Sequence, residues 1–217
     1  MLIATDGACK RNGQSTCLSV GVAWIQTEDG QMLFKSAYET CSTSQRGEIN
    51  GLMESLKYAV EKAGPDEDII IITDSEYLYN TVMLEWCHKW KNNNWIGASG
   101  DTVKNSDMWD KICIMLKKLD GRVFMQWTKG HLMSYTPGNI KYAMKEDPTG
   151  IELFMRISAI AKRESEKDRI IKDFIKQRNE HDRPPPPPEV CLDWVIANAT
   201  ADSLASYITS ALDGILI

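Results

Sequence analysis

The chain has 217 residues, of which 43% are hydrophobic and 25% are charged, and its formal net charge is −5. This length allows one sizeable domain with an appendage, and the composition is that of an ordinary globular protein. No stretch approaches the roughly 20 apolar residues of a membrane span, and the first residues lack the basic start of a signal peptide, so we expect no membrane partner.

Three strands are predicted at the start of the chain, at residues 1–6, 18–25 and 31–40. The dipeptide Asp29-Gly30 separates the second strand from the third, and Asp-Gly is a strong hairpin signal. Glu48 opens an amphipathic helical stretch, which Gly64 and Pro65 end.

The middle of the chain alternates helices with strands. Ile69–Thr73 is too branched and too apolar for anything but a central strand. Next comes a predicted helix that starts at Ser75. It is followed by a polar segment rich in Trp and Asn at 86–105, a second helix at 108–119 and a final strand at 122–127. This order predicts an α/β fold with a five-stranded mixed sheet flanked by helices.

The next segment has a different character. Residues 151–180 carry apolar pairs on both sides of a charged run at 162–169, which fits one long helix or a helical hairpin. The prolines Pro184–Pro188 must end a helix and predict a stiff spacer, although they could also bind an SH3-like partner protein. Helical spacing returns at 195–213.

The cysteines predict a reducing, cytoplasmic location. They are scattered without a CxxC pair or regular spacing, which favours free thiols and argues against structural zinc. They are Cys9, Cys17, Cys41, Cys87, Cys113 and Cys191.

Four acidic residues stand where a fold could bring them to one point. Asp6 and Asp74 each end an apolar run, Glu48 opens a helix, and Asp202 lies in the last helical segment. Converging carboxylates without a basic partner repel strongly unless cations lie between them. Mg²⁺ takes oxygen ligands, and paired metal sites serve phosphoryl chemistry. The pattern therefore predicts a site for hard divalent cations.

Five short motifs, in this chain order, resemble ribonuclease H of type 1. They are Thr5-Asp6-Gly7-Ala8, Arg46-Gly47-Glu48, Thr73-Asp74-Ser75-Glu76-Tyr77, Lys129-Gly130-His131 and Ala201-Asp202-Ser203-Leu204-Ala205. Each motif alone is weak, but five in order at strand ends and helix starts are specific. The resemblance covers residues 1–135 and about 195–213, and it implies a ribonuclease H-like fold.

The resemblance also implies a reaction, the endonucleolytic cleavage of the RNA strand of an RNA–DNA hybrid to leave 3′-hydroxyl and 5′-phosphate ends. It implies two Mg²⁺ ions, replaceable by Mn²⁺, with Asp6 bridging them. Asp202 would help to hold the ion that activates the attacking water, and Glu48 and Asp74 the ion that stabilises the leaving oxygen. His131 would assist proton transfer or product release from a mobile loop.

Substrate contacts are implied at two places. Asn12, Ser44 and Gln45 match positions that contact the hybrid's backbone and minor groove, where hydrogen bonds to 2′-hydroxyls would select RNA. Residues 86–105 resemble the family's basic protrusion, which grips the DNA strand and is called the handle below. The handle residues expected to bind are Trp90, Lys91, Trp95, Lys104 and Asn105.

The chain departs from the family pattern between His131 and Asp202, which a long insertion separates. We expect a catalytic part at 1–135 plus 195–217 and a helical, proline-rich insertion at 136–194. We also expect the insertion to form a helical arm beside the active-site opening, touching substrate or a protein partner. Ser44 and Gln45 are a second departure, since the family often has asparagines there. Since the first strand starts at Met1, we expect no hybrid-binding domain ahead of it.

The negative net charge is unusual for a nucleic-acid-binding protein, but bound cations would offset part of it, and basic residues gather locally. These are Lys89, Lys91, Lys104, Arg122 and Lys129. We expect a monomer. Two other functions stay open: a nuclease or transferase of the same fold that acts on DNA, such as an integrase or a Holliday-junction resolvase, and a non-catalytic hybrid-binding or docking module.

Overall fold

The computed structural model describes residues 1–133 and 136–216, which form a five-stranded sheet with helices on both faces. The strands are β1 (Leu2–Lys10), β2 (Leu18–Gln26), β3 (Met32–Thr40), β4 (Ile69–Thr73) and β5 (Val123–Trp127). Their order in the sheet is β3-β2-β1-β4-β5. The first three strands are antiparallel, whereas β4 runs parallel to both β1 and β5. The predicted five-stranded mixed sheet is therefore confirmed.

One face of the sheet is covered by the helices of the chain's first half. These are α1 (Ser44–Lys62), α2 (Glu76–Met83), α3 (Trp86–Asn92) and α4 (Ser106–Lys118). Side chains alternate between the faces of a strand, so Ile3 packs among these helices while its neighbour Ala4 faces the opposite layer. Ile49 of α1 and Trp109 of α4 are fully buried in the same core.

The other face is covered by the second half of the chain. Its helices are α5 (Pro137–Glu146), α6 (Ile151–Ala161), α7 (Glu164–Glu180) and α8 (Pro188–Leu216). Val22 and Trp24 of β2 share a core with Leu153 of α6 and Phe174 of α7. The ring of Trp24 stacks on Phe154, with ring centroids 5.4 Å apart.

The predicted insertion is helical and packs into the core of the chain's second half, and its expected contact with substrate or a partner stays a prediction. Residues 151–180 form two helices, α6 and α7, and α5 precedes them. Helix α8 packs on the sheet, and α5, α6 and α7 pack against α8, where their apolar side chains share a core with Val22 and Trp24. Whether 136–194 is a unit distinct from the catalytic part stays a prediction, since both share one core. The boundary residue Tyr135 and the terminal Ile217 lie outside the described residues.

Three helix or strand boundaries differ from the predicted ones. Strand β1 continues to Lys10, past Asp6, because the antiparallel pairing with β2 extends to Leu18. Helix α1 begins at Ser44, ahead of Glu48, because the Thr43 hydroxyl accepts a hydrogen bond from the Arg46 backbone N–H (3.3 Å) and caps the helix earlier. The last helix begins at Pro188 and not at residue 195, since proline is well suited to a first helical turn.

Across the described ranges, no helix combines the length and apolar character needed to cross a bilayer.

Candidate active site

Two carboxylates meet where strands β1 and β4 separate. The parallel pairing of these strands ends at Ala4 and Ile72. Beyond that point β1 stays paired with β2 only, so Asp6 lies in the crevice that opens between β1 and β4. Asp74 follows the last residue of β4 and enters the same crevice. Crevices at the carboxyl ends of parallel strands are the usual ligand sites of open α/β sheets.

Glu48 reaches this crevice because helix α1 lies unusually close to β1. A Cβ atom at Gly7 would overlap the backbone of Glu48, so only glycine at this position permits the approach. As a result, Asp6, Glu48 and Asp74 each place a carboxylate oxygen so that the three oxygens lie within 4.8 Å of one another. The predicted convergence of these three residues is present in the fold.

Burial and mutual repulsion make this carboxylate trio hard to ionise without a counter-charge. Burial, followed by the charges of Glu48, Asp74 and Asp202, raises the pKa of Asp6 well above its ordinary value. Burial and then Asp74 raise the pKa of Glu48 from 4.5 to about 8. Burial and then Asp202 raise the pKa of Asp74. A cation bound among the three carboxylates would lower each of these raised pKa values again.

The trio fits a hard divalent cation. Glu48 Oε2 is buried and has no hydrogen-bond partner among the described residues. Within the same described ranges, no lysine or arginine forms an ion pair with Asp6, Glu48 or Asp74. An oxygen-only donor set with an unsatisfied buried oxygen is what Mg²⁺ or Mn²⁺ requires.

Asp202 lies at the edge of the trio, not inside it. Its charge acts on all three carboxyl groups, but its oxygens are not part of the 4.8 Å cluster. His131 Nδ1 is 3.4 Å from Asp202 Oδ2, and the His131 side chain is 78% exposed. Helix α8 therefore brings Asp202 and the loop histidine together across the long insertion, at the open side of the site.

The loop that carries His131 packs directly on the trio. A Cβ atom at Gly130 would overlap the Asp74 carboxylate, so any larger residue here would displace that carboxylate from its present position. His131 itself has a positive φ of 59°, a conformation that few side chains favour. The Lys129-Gly130-His131 motif thus shapes the wall of the crevice beside Asp74.

We expect Glu48→Gln to stabilise the metal-free protein at alkaline pH. The folded pKa of Glu48 is raised, so the folded state keeps a proton that the unfolded chain has lost, and stability falls as the pH rises from 4.5 to about 8. Glutamine removes this penalty. A gain on the order of 1 kcal/mol would raise the melting temperature by about 2–4 °C.

Calorimetry in a chelator, above and below this pH window, measures the effect. The variant should melt at a higher temperature than the wild type on the alkaline side, and the difference should vanish on the acidic side. Glu61→Gln, an exposed change on the same helix, is the control. An identical gain on both sides of the window would show that the carboxylate is not destabilising.

The handle forms an open groove beside this site. The groove has a volume of about 950 Å³ and lies between α3 and the segment 96–104. Of the predicted hybrid contacts, Gln45, Trp90 and Lys104 line it. The Asn105 amide donates to Gln45 Oε1 (3.1 Å), which joins the handle to the start of α1.

Two predicted handle contacts lie elsewhere. Lys91 Nζ forms an ion pair with Asp110 (2.8 Å) and does not line the groove. Trp95 packs against the core under the handle. Conversely, Trp86 and Lys89 line the groove, although they are absent from the predicted contacts. Their spacing from Trp90 on one helix face is the signal that could have identified them.

Asn12 and Ser44 are joined to each other by two hydrogen bonds. The Ser44 backbone N–H donates to Asn12 Oδ1 (3.1 Å), and the Asn12 amide donates to Ser44 Oγ (3.3 Å). The strand hairpin and the start of α1 therefore present one polar surface.

Arg46 has a structural role that its sequence position did not reveal. Its guanidinium pairs with Glu39 (2.7 Å) and with Asp107 (3.1 Å), and it also donates to Asn105 Oδ1 (3.4 Å). Arg46 thereby joins β3, α1 and the start of α4. This node orients the handle relative to the carboxylate trio.

A second group of potential ligands lies under the handle. Cys87, His88 and Cys113 place their ligand atoms within 4.8 Å of one another. Structural zinc sites are closed by four ligands, and both thiols belong to the buried core between α3 and α4. We assign these residues to packing.

The sequence matches a family model described as RNase H over residues 1–142. It is similar to a protein named ribonuclease H from Rickettsia massiliae (strain Mtu5), with 33% identity over 157 residues, which are 70% of this chain and 94% of that protein. It is also 33% identical, over 119 residues, to the ribonuclease H of Clostridium botulinum (strain Hall / ATCC 3502 / NCTC 13319 / Type A), covering 54% of this chain and 76% of that protein.

Solved structures share the fold. A foamy viral protease-reverse transcriptase in complex with an RNA/DNA hybrid matches with a TM-score of 0.51 and 19% identity, covering 59% of this chain and 17% of that one. A foamy viral protease-reverse transcriptase in complex with dsDNA matches with a TM-score of 0.50 and 22% identity, covering 64% of this chain and 85% of that one. At these identities the likeness concerns the fold.

Proposed function

The chain belongs to the ribonuclease H family, and we propose that it hydrolyses the RNA strand of RNA–DNA hybrids with two Mg²⁺ ions held by Asp6, Glu48, Asp74 and Asp202. The observation that carries this proposal is the oxygen-only trio within 4.8 Å, with Asp202 close enough to act on all three carboxyl groups. We further propose 3′-hydroxyl and 5′-phosphate products.

The division of work follows from the chemistry of the site. When bound, the cations would supply water activation and neutralise charge at the scissile phosphate. Asp6 is buried and lies within 4.8 Å of both Glu48 and Asp74, so it is the carboxylate that would help to hold both ions. His131 is exposed and close to Asp202, so its imidazole can exchange a proton with the substrate side of the site. The reaction needs no Ser or Cys nucleophile.

Selection of a hybrid would use the surfaces on both sides of the crevice. The Asn12–Ser44 surface can donate hydrogen bonds to 2′-hydroxyls, which only the RNA strand carries. The handle groove offers the indole rings of Trp86 and Trp90 for stacking on sugar or base. A hybrid bound by a related fold, in the foamy viral complex, supports this type of substrate.

Lysines of the handle are expected to contribute phosphate contacts. Lys89 and Lys104 are exposed and line the groove, so Lys104→Gln should weaken hybrid binding and reduce the slope of log affinity against log salt by about 1. Lys89→Gln should do the same, and their effects should add. Fluorescence anisotropy across a salt series measures both quantities. The control is Lys172→Gln on α7, which lies on the opposite face of the sheet. An unchanged salt slope in the double variant would remove the handle from the binding surface.

A substrate panel tests the proposed function. Labelled RNA–DNA hybrid, duplex DNA, duplex RNA and a four-way DNA junction are incubated with Mg²⁺ or Mn²⁺ and resolved on denaturing gels. We expect cuts in the RNA strand of the hybrid only, with products that a 3′-end ligase accepts without phosphatase treatment. Cleavage of the junction or the DNA duplex would favour a DNA-acting nuclease of this fold, and binding without cleavage would favour a non-catalytic module.

A further inference from the structure

The segment that ends the insertion clamps a tryptophan at the edge of the active site. The Arg183 guanidinium lies over the Trp127 ring, 4.4 Å from its centroid, and also over the ring of Tyr79 at 4.4 Å. The ring of His181 contacts Trp127 with the centroids 4.6 Å apart. Both His181 and Arg183 pair with Glu76, at 3.2 and 3.6 Å, which anchors the segment to the start of α2.

Trp127 connects the end of the insertion to the carboxylate trio. It is the last residue of β5, and its indole Nε1–H donates to the backbone carbonyl oxygen of Asp74 (3.0 Å). The next residue, Thr128, donates its backbone N–H to the carbonyl oxygen of Thr73 (3.0 Å). The position of Trp127 therefore fixes the backbone at Asp74 from two sides.

Arg178 holds Trp127 from within the core. Its Nη1 donates to the Trp127 carbonyl oxygen (2.9 Å) and its Nε to the Pro184 carbonyl oxygen (3.0 Å). The residue is only 6% exposed, and among the described residues no carboxylate pairs with it. Burying a guanidinium without an anionic partner costs free energy. Contacts with the rings of Phe174 and Trp194, 5.8 and 5.6 Å from their centroids, and the two carbonyl hydrogen bonds offset this cost, so Arg178 is held in one place against the end of β5.

We propose that Arg178 and Arg183 are positioning residues that hold Asp74 in its metal-binding place through Trp127. This inference deepens the proposed function and depends on it for the identity of the metal site. Three carboxylates within 4.8 Å repel one another, and Asp74 lies on a loop, so it is the member best able to move away. The insertion supplies the contacts that prevent this movement. Groups behind metal ligands often change metal affinity by about 10- to 100-fold when altered.

Three variants separate positioning from packing. Trp127→Phe keeps a ring between Arg183 and His181 but removes the N–H that reaches Asp74. Arg178→Gln removes the charge and the guanidinium that donates to Trp127 and Pro184, and Arg178→Lys restores the charge on a single donor nitrogen. Arg169→Gln is the matched control, because Arg169 is an exposed residue of the same helix that pairs with Glu166 and Asp173.

The primary readout is the Mn²⁺ dissociation constant, measured by calorimetry without substrate. We expect Trp127→Phe and Arg178→Gln to weaken Mn²⁺ binding about 10-fold, Arg178→Lys to recover part of the loss, and Arg169→Gln to match the wild type. KM for the hybrid should stay unchanged in all four variants, while kcat at limiting Mn²⁺ should fall with metal affinity.

Wild-type Mn²⁺ affinity in folded Trp127→Phe would overturn the inference, as would an equal loss in Arg169→Gln. Melting in a chelator shows which variants fold, and Trp127→Phe alone decides if Arg178→Gln does not. If the wild type binds Mn²⁺ with the expected dependence on Trp127 and Arg178 but cleaves no hybrid, the positioning role stands and the proposed reaction fails.

Discussion

Asp6→Asn is expected to abolish RNA cleavage while leaving binding of the hybrid measurable. Asparagine has the same shape but lacks the charge that a cation between Asp6, Glu48 and Asp74 requires. A loss of several kcal/mol of transition-state stabilisation corresponds to a rate lower by roughly 10³-fold or more. Binding should persist, because the substrate contacts proposed at Asn12, Ser44 and the handle do not involve Asp6. Single-turnover cleavage and anisotropy with the same labelled hybrid measure both effects.

Asp168→Asn on α7 provides the control, since it removes the same charge at an exposed position on the insertion. It should leave the cleavage rate within a factor of about two, as surface substitutions usually do. An Asp6→Asn protein that cleaves at a rate close to the wild type would refute the central role of this carboxylate. Equal rate losses in both variants would point to general charge effects and not to the site.

Deletion of residues 140–192 is expected to unfold the protein and not merely to reduce its activity. The deleted segment contains Leu153, Ile157 and Phe174, which share one hydrophobic core with Val22 and Trp24 of the sheet and with the remaining helix α8. Each such buried side chain contributes about 1.5–3 kcal/mol, and a domain's net stability is only about 5–15 kcal/mol. Circular dichroism and gel filtration should show a loss of cooperative melting and aggregation.

A single substitution tests whether the buried side chains of the insertion are the cause of this loss of stability. Leu153 of α6 is fully buried, and Leu153→Ala should cost about 2–5 kcal/mol. Met155 on the same helix is 53% exposed, so Met155→Ala should change stability by less than about 0.5 kcal/mol. A deletion variant that melts cooperatively as a monomer with full cleavage activity would show that the insertion is dispensable.

The sequence predicted the parts of the site that depend on local order. Asp6 and Asp74 follow apolar runs whose pairing in a parallel sheet is almost dictated by their branched residues, so their proximity could be expected. Glu48 was expected from its motif, but the reason for its closeness is Gly7, whose missing Cβ permits the approach of α1. Such a backbone contact between distant segments leaves little trace in residue spacing.

The packing of the insertion could not be predicted from its local sequence. Its apolar pairs are equally compatible with a projecting hairpin and with a layer packed on a sheet, because periodicity identifies an apolar face but not its partner. The buried Arg178 is a stronger example, since arginine on a charged helix predicts a solvated side chain. The carbonyl oxygens of Trp127 and Pro184 and the rings of Phe174 and Trp194, all brought near by the fold, explain why this residue points inward. Similarly, Lys91 faces Asp110 because α3 and α4 are neighbours in space.

The most direct test is anomalous diffraction from crystals of the wild-type protein, grown with Mn²⁺ and an RNA–DNA hybrid whose RNA strand carries a non-hydrolysable linkage. Two anomalous peaks should appear in the crevice between β1 and β4, with the Asp6 carboxylate in contact with both and the RNA strand beside them. Crystals that contain bound hybrid but show no Mn²⁺ at Asp6 would contradict a cation-dependent reaction at these carboxylates.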